Sequence, residues 1–267
     1  MDVVMLIGVG LLTGVTTVLF GFGGGFVAVP VVVWADAALG ADAMRVATAT
    51  SALVMLVNAG FATAVTPRRV LLALRGSGRL LLLLAAGAAA GALATRLAPV
   101  AVAHWAFVVY CAFTIADLLL RPGFLRPPPR GGAISDAPRR LPAVLGAPIG
   151  AVAAFLGVGG SVMTVPAMRR AGHTMHVATT LANPLTLAIA LPATAMSLGA
   201  AAVPAAAHAH VHLVGLVDLR AASALLLGAL PVIAVLRRRP PAIPDRIHAW
   251  AYIGLLALVT AVMLLLT

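Results

Sequence analysis

The sequence predicts an all-α polytopic membrane protein, with about eight transmembrane helices in two four-segment repeats, each containing a Gly-rich broken helix. Three observations carry this. Hydrophobic residues make up 62% of the chain and charged residues 9%, at a mean hydropathy of +1.10, whereas soluble domains carry about 25% charge. Apolar runs alternate with short arginine-bearing loops, and about 20 apolar residues suffice for one crossing. Finally, Gly21-Phe22-Gly23-Gly24-Gly25-Phe26-Val27-Ala28-Val29-Pro30 returns as Gly157-Val158-Gly159-Gly160-Ser161-Val162-Met163-Thr164-Val165-Pro166, an offset of 136 residues that also carries Gly14 onto Gly150. Self-similarity at half-chain spacing points to duplication.

The first apolar block, 3–35, is too long for one ordinary span and too short for two. A helix, a glycine break over 21–25 and a shorter helix bent by Pro30 fit it better. No basic segment precedes the block, and its apolar run continues past Gly25, so it reads as a first span and not as a cleaved signal peptide. A second run covers 46–65, a short amphipathic piece holds Arg75 and Arg79, and runs over 80–97 and 100–120 complete the first half, 1–120. Residues 121–140, rich in Arg and Pro, form the natural linker. The second half, 141–267, repeats the order with a broken segment over 141–168 and spans over 177–203, 219–236 and 247–266. Four crossings per half would make the repeats parallel, and broken segments that do not cross would make them inverted.

Eighteen basic against seven acidic residues give a net charge of +11, all of it Arg and Asp. In a soluble protein this would suggest nucleic acid. Here the arginines lie between apolar runs, where they set orientation and meet anionic head groups, so the expected partner is the lipid bilayer and not nucleic acid. The single cysteine, Cys111, excludes an intramolecular disulfide and reads as a small packed hydrophobe.

A glycine break inside an apolar run must face protein or a polar cavity, because lipid cannot satisfy the freed backbone groups. A half-helix starting after Gly23, Gly24 and Gly25, or after Gly159, Gly160 and Ser161, would aim free N–H groups and a positive dipole end at that cavity. Such helix N-termini bind anions. Close helix packing through small residues is the competing reading. Two copies, each followed five residues later by Pro30 or Pro166, favour the anion site.

Polar residues cluster in the next run of each half: Thr48, Thr50, Ser51 and Asn58, then Thr179, Thr180, Asn183 and Thr186. Of these, Thr48, Ser51, Thr179 and Asn183 are the candidates for lining the cavity; bonding back to their own helices is the alternative. Arg96, Asp117, Asp218 and Arg220 fall near span ends, where snorkelling accounts for them, and Asp117 is the best of a weak set of proton carriers. His208, His210 and His212 alternate as a metal-ligand set would, but no acidic or cysteine ligand completes them. No catalytic triad, paired carboxylates or cofactor motif is present, so the expectation is neither an enzyme nor a cofactor protein.

The repeated Gly-x-Gly-Gly-Gly/Ser-x4-Pro over 21–30 and 157–166, Ala-Thr-x-Thr-Ser over 47–51 and the 4+4 layout resemble the TauE/SafE family of sulfite and organosulfonate exporters, also called TSUP permeases. The resemblance implies secondary transport of a small sulfur-containing or organic anion across the bacterial inner membrane, with a proton as the coupling ion. By matching positions it implies a path built on Gly23, Gly24, Gly25 and Pro30 with Gly159, Gly160, Ser161 and Pro166. Ser161 in place of a third glycine departs from equal roles for the two copies. The rival readings are a transporter of another solute, such as a divalent metal at the histidine loop, and a membrane scaffold or accessory subunit.

Overall fold

The computed structural model describes residues 3–125, 141–200 and 213–265. Its helices are α1 (Val3–Phe20), α2 (Gly25–Ala35), α3 (Ala43–Ala64), α4 (Arg68–Leu71), α5 (Gly78–Leu97), α6 (Val100–Leu120), α7 (Gly146–Leu156), α8 (Ser161–Arg170), α9 (Met175–Leu198), α10 (Leu219–Arg238) and α11 (Asp245–Leu265). Two short strands, β1 (Leu213–Val214) and β2 (Val217–Asp218), pair antiparallel before α10. Among the described residues, seven helices are long and apolar enough to cross a membrane: α1, α3, α5, α6, α9, α10 and α11. The remaining expected segment is divided into α7 and α8, of 11 and 10 residues, about 15 Å each at 1.5 Å per residue. The protein is a multi-pass helical membrane protein.

Glycine contacts fix the helix directions. Gly10 lies against Leu225 and Gly228, and Gly14 against Ala229 and Val232, so α1 and α10 run parallel. Likewise Gly146 meets Leu80 and Leu84 while Gly150 meets Leu84 and Ala88, so α5 and α7 run parallel. At Gly10, Gly87, Gly91, Gly150 and Gly228 a Cβ would strike backbone carbonyl oxygen of the facing helix. These helices approach through bare backbone, the packing that small residues permit in membranes.

We call the side holding the start of α1 the N face and the other the far face. Leu6 of α1 clusters with Ala28 and Val32 of α2 and with Ala221 and Leu225 of α10. The chain therefore runs down α1, turns at the break and returns to the N face along α2. The α7–α8 pair is the mirror case. It starts beside Leu80 at the head of α5 and ends where Arg169 and Arg170 bond Phe124 and Asp117 near the end of α6, on the far face. Each break is thus the tip of a folded-back hairpin, the two hairpins entering from opposite faces. Three long helices follow each hairpin, an odd number of passages, so the second set runs inverted to the first. Counting each broken segment as a crossing would have made the repeats parallel; the reversal at the glycines is what changes the parity.

The far face is braced by ion pairs. Fully buried Arg169 reaches Asp245 at 2.7 Å and donates twice to the Phe124 carbonyl, at 3.2 and 2.9 Å. Asp117 pairs with Arg170 at 2.7 Å and Arg121 at 3.3 Å. On the N face Asp218, expected to snorkel, is instead buried and caps α10 by accepting from the Arg220 and Ala221 N–H groups. The first turn of a helix needs such an acceptor, and the β-hairpin before it holds the carboxylate in place. Cys111 is buried within the main core cluster. Beyond Leu125 the linker expected over 121–140 lies outside the described residues, as do His208, His210 and His212.

Candidate anion-binding core

The two breaks meet in the middle of the bundle. Gly23 and Gly159 both border Met55 of α3 and Thr186 of α9, each near the centre of its helix, and Gly159 also lies beside the Phe22 carbonyl. Glycine is required by the backbone itself: Gly21, Gly23 and Gly24 have φ of 73°, 63° and 83°, and Gly157 and Gly159 have 70° and 72°, a region costly for any residue with a Cβ.

Each half holds the other's break. Ser51 of α3 donates to the Gly157 carbonyl at 2.9 Å and to the Thr48 carbonyl at 2.8 Å. Thr186 of α9 donates to the Gly21 carbonyl at 3.4 Å. Asn183 donates to the carbonyls of Thr17 and Thr179, at 3.4 and 3.3 Å, and the Thr179 carbonyl lies against Gly21. All of these bonds end on backbone carbonyls, those of Gly21 and Gly157 within the breaks themselves, and leave the N–H side of each break unclaimed by side chains.

That side belongs to α2 and α8. Their N-caps are Gly24 and Gly160, neither of which supplies a side-chain cap. α2 runs from the middle to the N face and α8 from the middle to the far face, so two positive helix ends converge at mid-depth. Around them stand buried polar atoms with no protein partner: Thr48 Oγ1, both amide atoms of Asn58, Ser161 Oγ, Thr164 Oγ1 and Asn183 Oδ1. Buried polar groups ordinarily find partners, so the unmet hydroxyls and the Asn58 amide N–H beside uncapped helix ends are chemically suited to an anion's oxygens, while the Asn183 oxygen is an acceptor and is not.

Of the residues singled out from sequence, Gly23, Gly24, Gly25, Gly159, Gly160, Ser161, Thr48, Ser51, Thr179 and Asn183 are all buried around this junction. Pro30 and Pro166 are buried too, but sit inside α2 and α8, over a turn from their starts. They shape the half-helices and do not touch the junction's centre. Asn58 and Thr186, placed below the other polar candidates, and Met55, not among them, also border the breaks. Asn58 Nδ2 would be 2.8 Å from a Cβ on Gly24, and Met55 Sδ would collide with one on Gly25. The signal for Asn58 was available, since an amide in an apolar run has to meet something polar; no pattern marks Met55.

Met55 and the Thr186 methyl fill the space between the breaks, so the centre is closed. From the N face a cleft lined by Arg45, Thr48, Ala52, Thr95, Arg96 and Ser197 leads toward it, with only about 20 Å³ reachable by the centre of a water molecule. Arg45 bonds Asp42 and the Ala98 carbonyl at 3.1 Å each, and Arg96 bonds the Met196 carbonyl. Arg96, in the last turn of α5, lines this cleft and is partly exposed. Just past the end of α2, buried Asp36 is pushed up to about 7 by loss of water and then by the neighbouring Asp218 carboxylate.

No group of three His, Cys, Asp or Glu among the described residues could hold a metal ion. No curated protein and no solved structure matches the chain. The family described as sulfite exporter TauE/SafE matches residues 6–263. With an all-helical membrane fold around a paired glycine–proline motif, and a match across nearly its whole length, the chain belongs to the TauE/SafE sulfite exporter family.

Proposed function

We propose that this protein is a secondary transporter of small sulfur-containing or organic anions, such as sulfite or a short sulfonate, in the bacterial inner membrane. Residues 1–120 and 141–267 act as the two repeats and 121–140 as their linker. The anion sits between the two breaks once Met55 and Thr186 move aside, held by first-turn N–H groups of α2 and α8 and by the Thr48 and Ser161 hydroxyls, while Ser51, Thr179 and Asn183 line the site and fix the breaks through their carbonyl bonds. Access alternates between the N-face cleft and the far face, driven by the proton gradient.

One observation carries this reading: two uncapped half-helix N-termini converge at mid-depth near the unmet hydroxyls of Thr48, Ser161 and Thr164 and the unmet Asn58 amide N–H. A centre without fixed charge binds an anion through dipoles and lets it go again, which transport requires. The test is uptake of labelled sulfite and of methanesulfonate into proteoliposomes, with and without an imposed pH gradient, against empty vesicles. Gly160→Val, at a helical φ of −76° with the flexible tip of Ile189 beside it, should fold normally, whereas Gly24→Val, at φ 83°, should also cost stability; both should lower the saturable flux per inserted protein at least about tenfold, the scale of one or two lost charge-assisted hydrogen bonds. Undiminished flux in both variants would remove the breaks from the path.

A further inference from the structure

The far face carries a second feature with the chemistry of an anion site. Arg237, in the last turn of α10, is part-buried, and its Nη1 donates to Thr180 Oγ1 at 3.2 Å. Its Nε and Nη2 are buried and meet no partner, and no carboxylate pairs with it among the described residues. The contrast with its neighbours is informative: Arg169 spends the same edge on the Phe124 carbonyl and pairs with Asp245, and Arg170 pairs with Asp117.

Nε and Nη2 are not an arbitrary pair. They form the side-on edge of the guanidinium, two nearly parallel donors that match two oxygens of one oxyanion. A buried guanidinium with that edge unmet is costly for a structural arginine. Its position adds meaning. Thr180, which holds Nη1, follows Thr179, whose carbonyl lies against Gly21 of the first break, and His176 stands near enough to feel its charge. By the repeat offset that maps Thr48 onto Thr179, His176 occupies the place of Arg45. Arg237 thus stands on the far-face side of the breaks, while Arg45 and Arg96 line the N-face cleft.

We propose that the Nε/Nη2 edge of Arg237 is a binding site for a small oxyanion on the far-face approach, gripping two of its oxygens side by side, with Thr180 fixing the guanidinium. The proposal rests on the transport reading for its purpose, but not for its existence. Equilibrium binding of sulfite, sulfate and methanesulfonate to purified protein in detergent, by calorimetry, would be measured beside proteoliposome flux. Arg237→Lys keeps the charge and loses the fork, and should weaken binding of these oxyanions about tenfold or more. Thr180→Val, a near-isosteric change that frees the guanidinium, should weaken it by a smaller factor.

Flux and binding separate the two ideas. Flux in the wild type with binding unchanged in both variants would overturn the Arg237 site and leave transport standing. Arg237-dependent binding without flux would keep the site and overturn transport. If the wild type neither binds nor moves any of the three anions, both fall.

Discussion

At Asp36 a single carboxyl joins burial to pH. Its value of about 7, against 3.8 for an ordinary aspartate, comes first from lost water and then from the Asp218 carboxylate. Because the folded value is raised, the folded chain holds a proton that the unfolded chain releases between about pH 4 and 7. Stability therefore falls as pH rises through that window, and above it the cost of a buried charge persists. Asp36→Asn should leave the apparent Tm in detergent almost unchanged near pH 4 and raise it above wild type at pH 8. An equal shift at both values would mean that Asp36 does not titrate between them. Asp36 also ends α2, whose other end opens on the central junction, so its protonation state bears directly on the half-helix lining the proposed site.

Among the elements, the glycine faces of α1, α5, α7 and α10 do what long apolar side chains do in a soluble core. At Gly150 a Cβ would strike the Leu84 carbonyl, and backbone cannot swing aside as a side-chain tip can. Gly150→Val should cost on the order of 3 kcal/mol, the range for overpacking a close contact, seen as a lower melting temperature. Gly254→Val, where a Cβ would meet nothing within 4 Å, should change stability by less than about 0.5 kcal/mol. Similar losses at both positions would mean that α5 and α7 do not depend on bare-backbone contact.

Element identity was largely legible from sequence for a simple reason: spans announce themselves through length and hydropathy, and breaks through glycine. Direction after a break was not. Whether a chain continues or folds back at Gly21–Gly24 depends on which helix receives it, and those contacts come from the other half of the chain. The same limit hid Met55, whose place is set by what it separates, and Arg237, which meets no carboxylate among the described residues. The residues around the junction were easier to find, because hydroxyls and amides in apolar runs are conspicuous wherever they point.

For the whole molecule, the inverted arrangement sets one closed centre between two oppositely entering hairpins, and alternating access would open it to each face in turn. Thr48 lines the N-face cleft, and Thr179, near the far-face start of α9, adjoins the first break. In a Cys111→Ser background, Thr48→Cys should react with a membrane-impermeant maleimide only from the N face, and Thr179→Cys only from the far face. Conditions that raise one labelling rate should lower the other. Rates that rise together would describe an open channel and not a carrier.

Crossed packing also sets a schedule for biogenesis. α1 is among the first helices to leave the ribosome, yet the ridge on which its glycines rest, Leu225 to Val232, is translated some two hundred residues later. At about 5–20 residues per second the wait is on the order of 10–40 s. Throughout that interval the glycine face of α1 that meets α10 lacks its partner, and a nascent chain halted before α10 holds its first helix only through α2, α3 and α9.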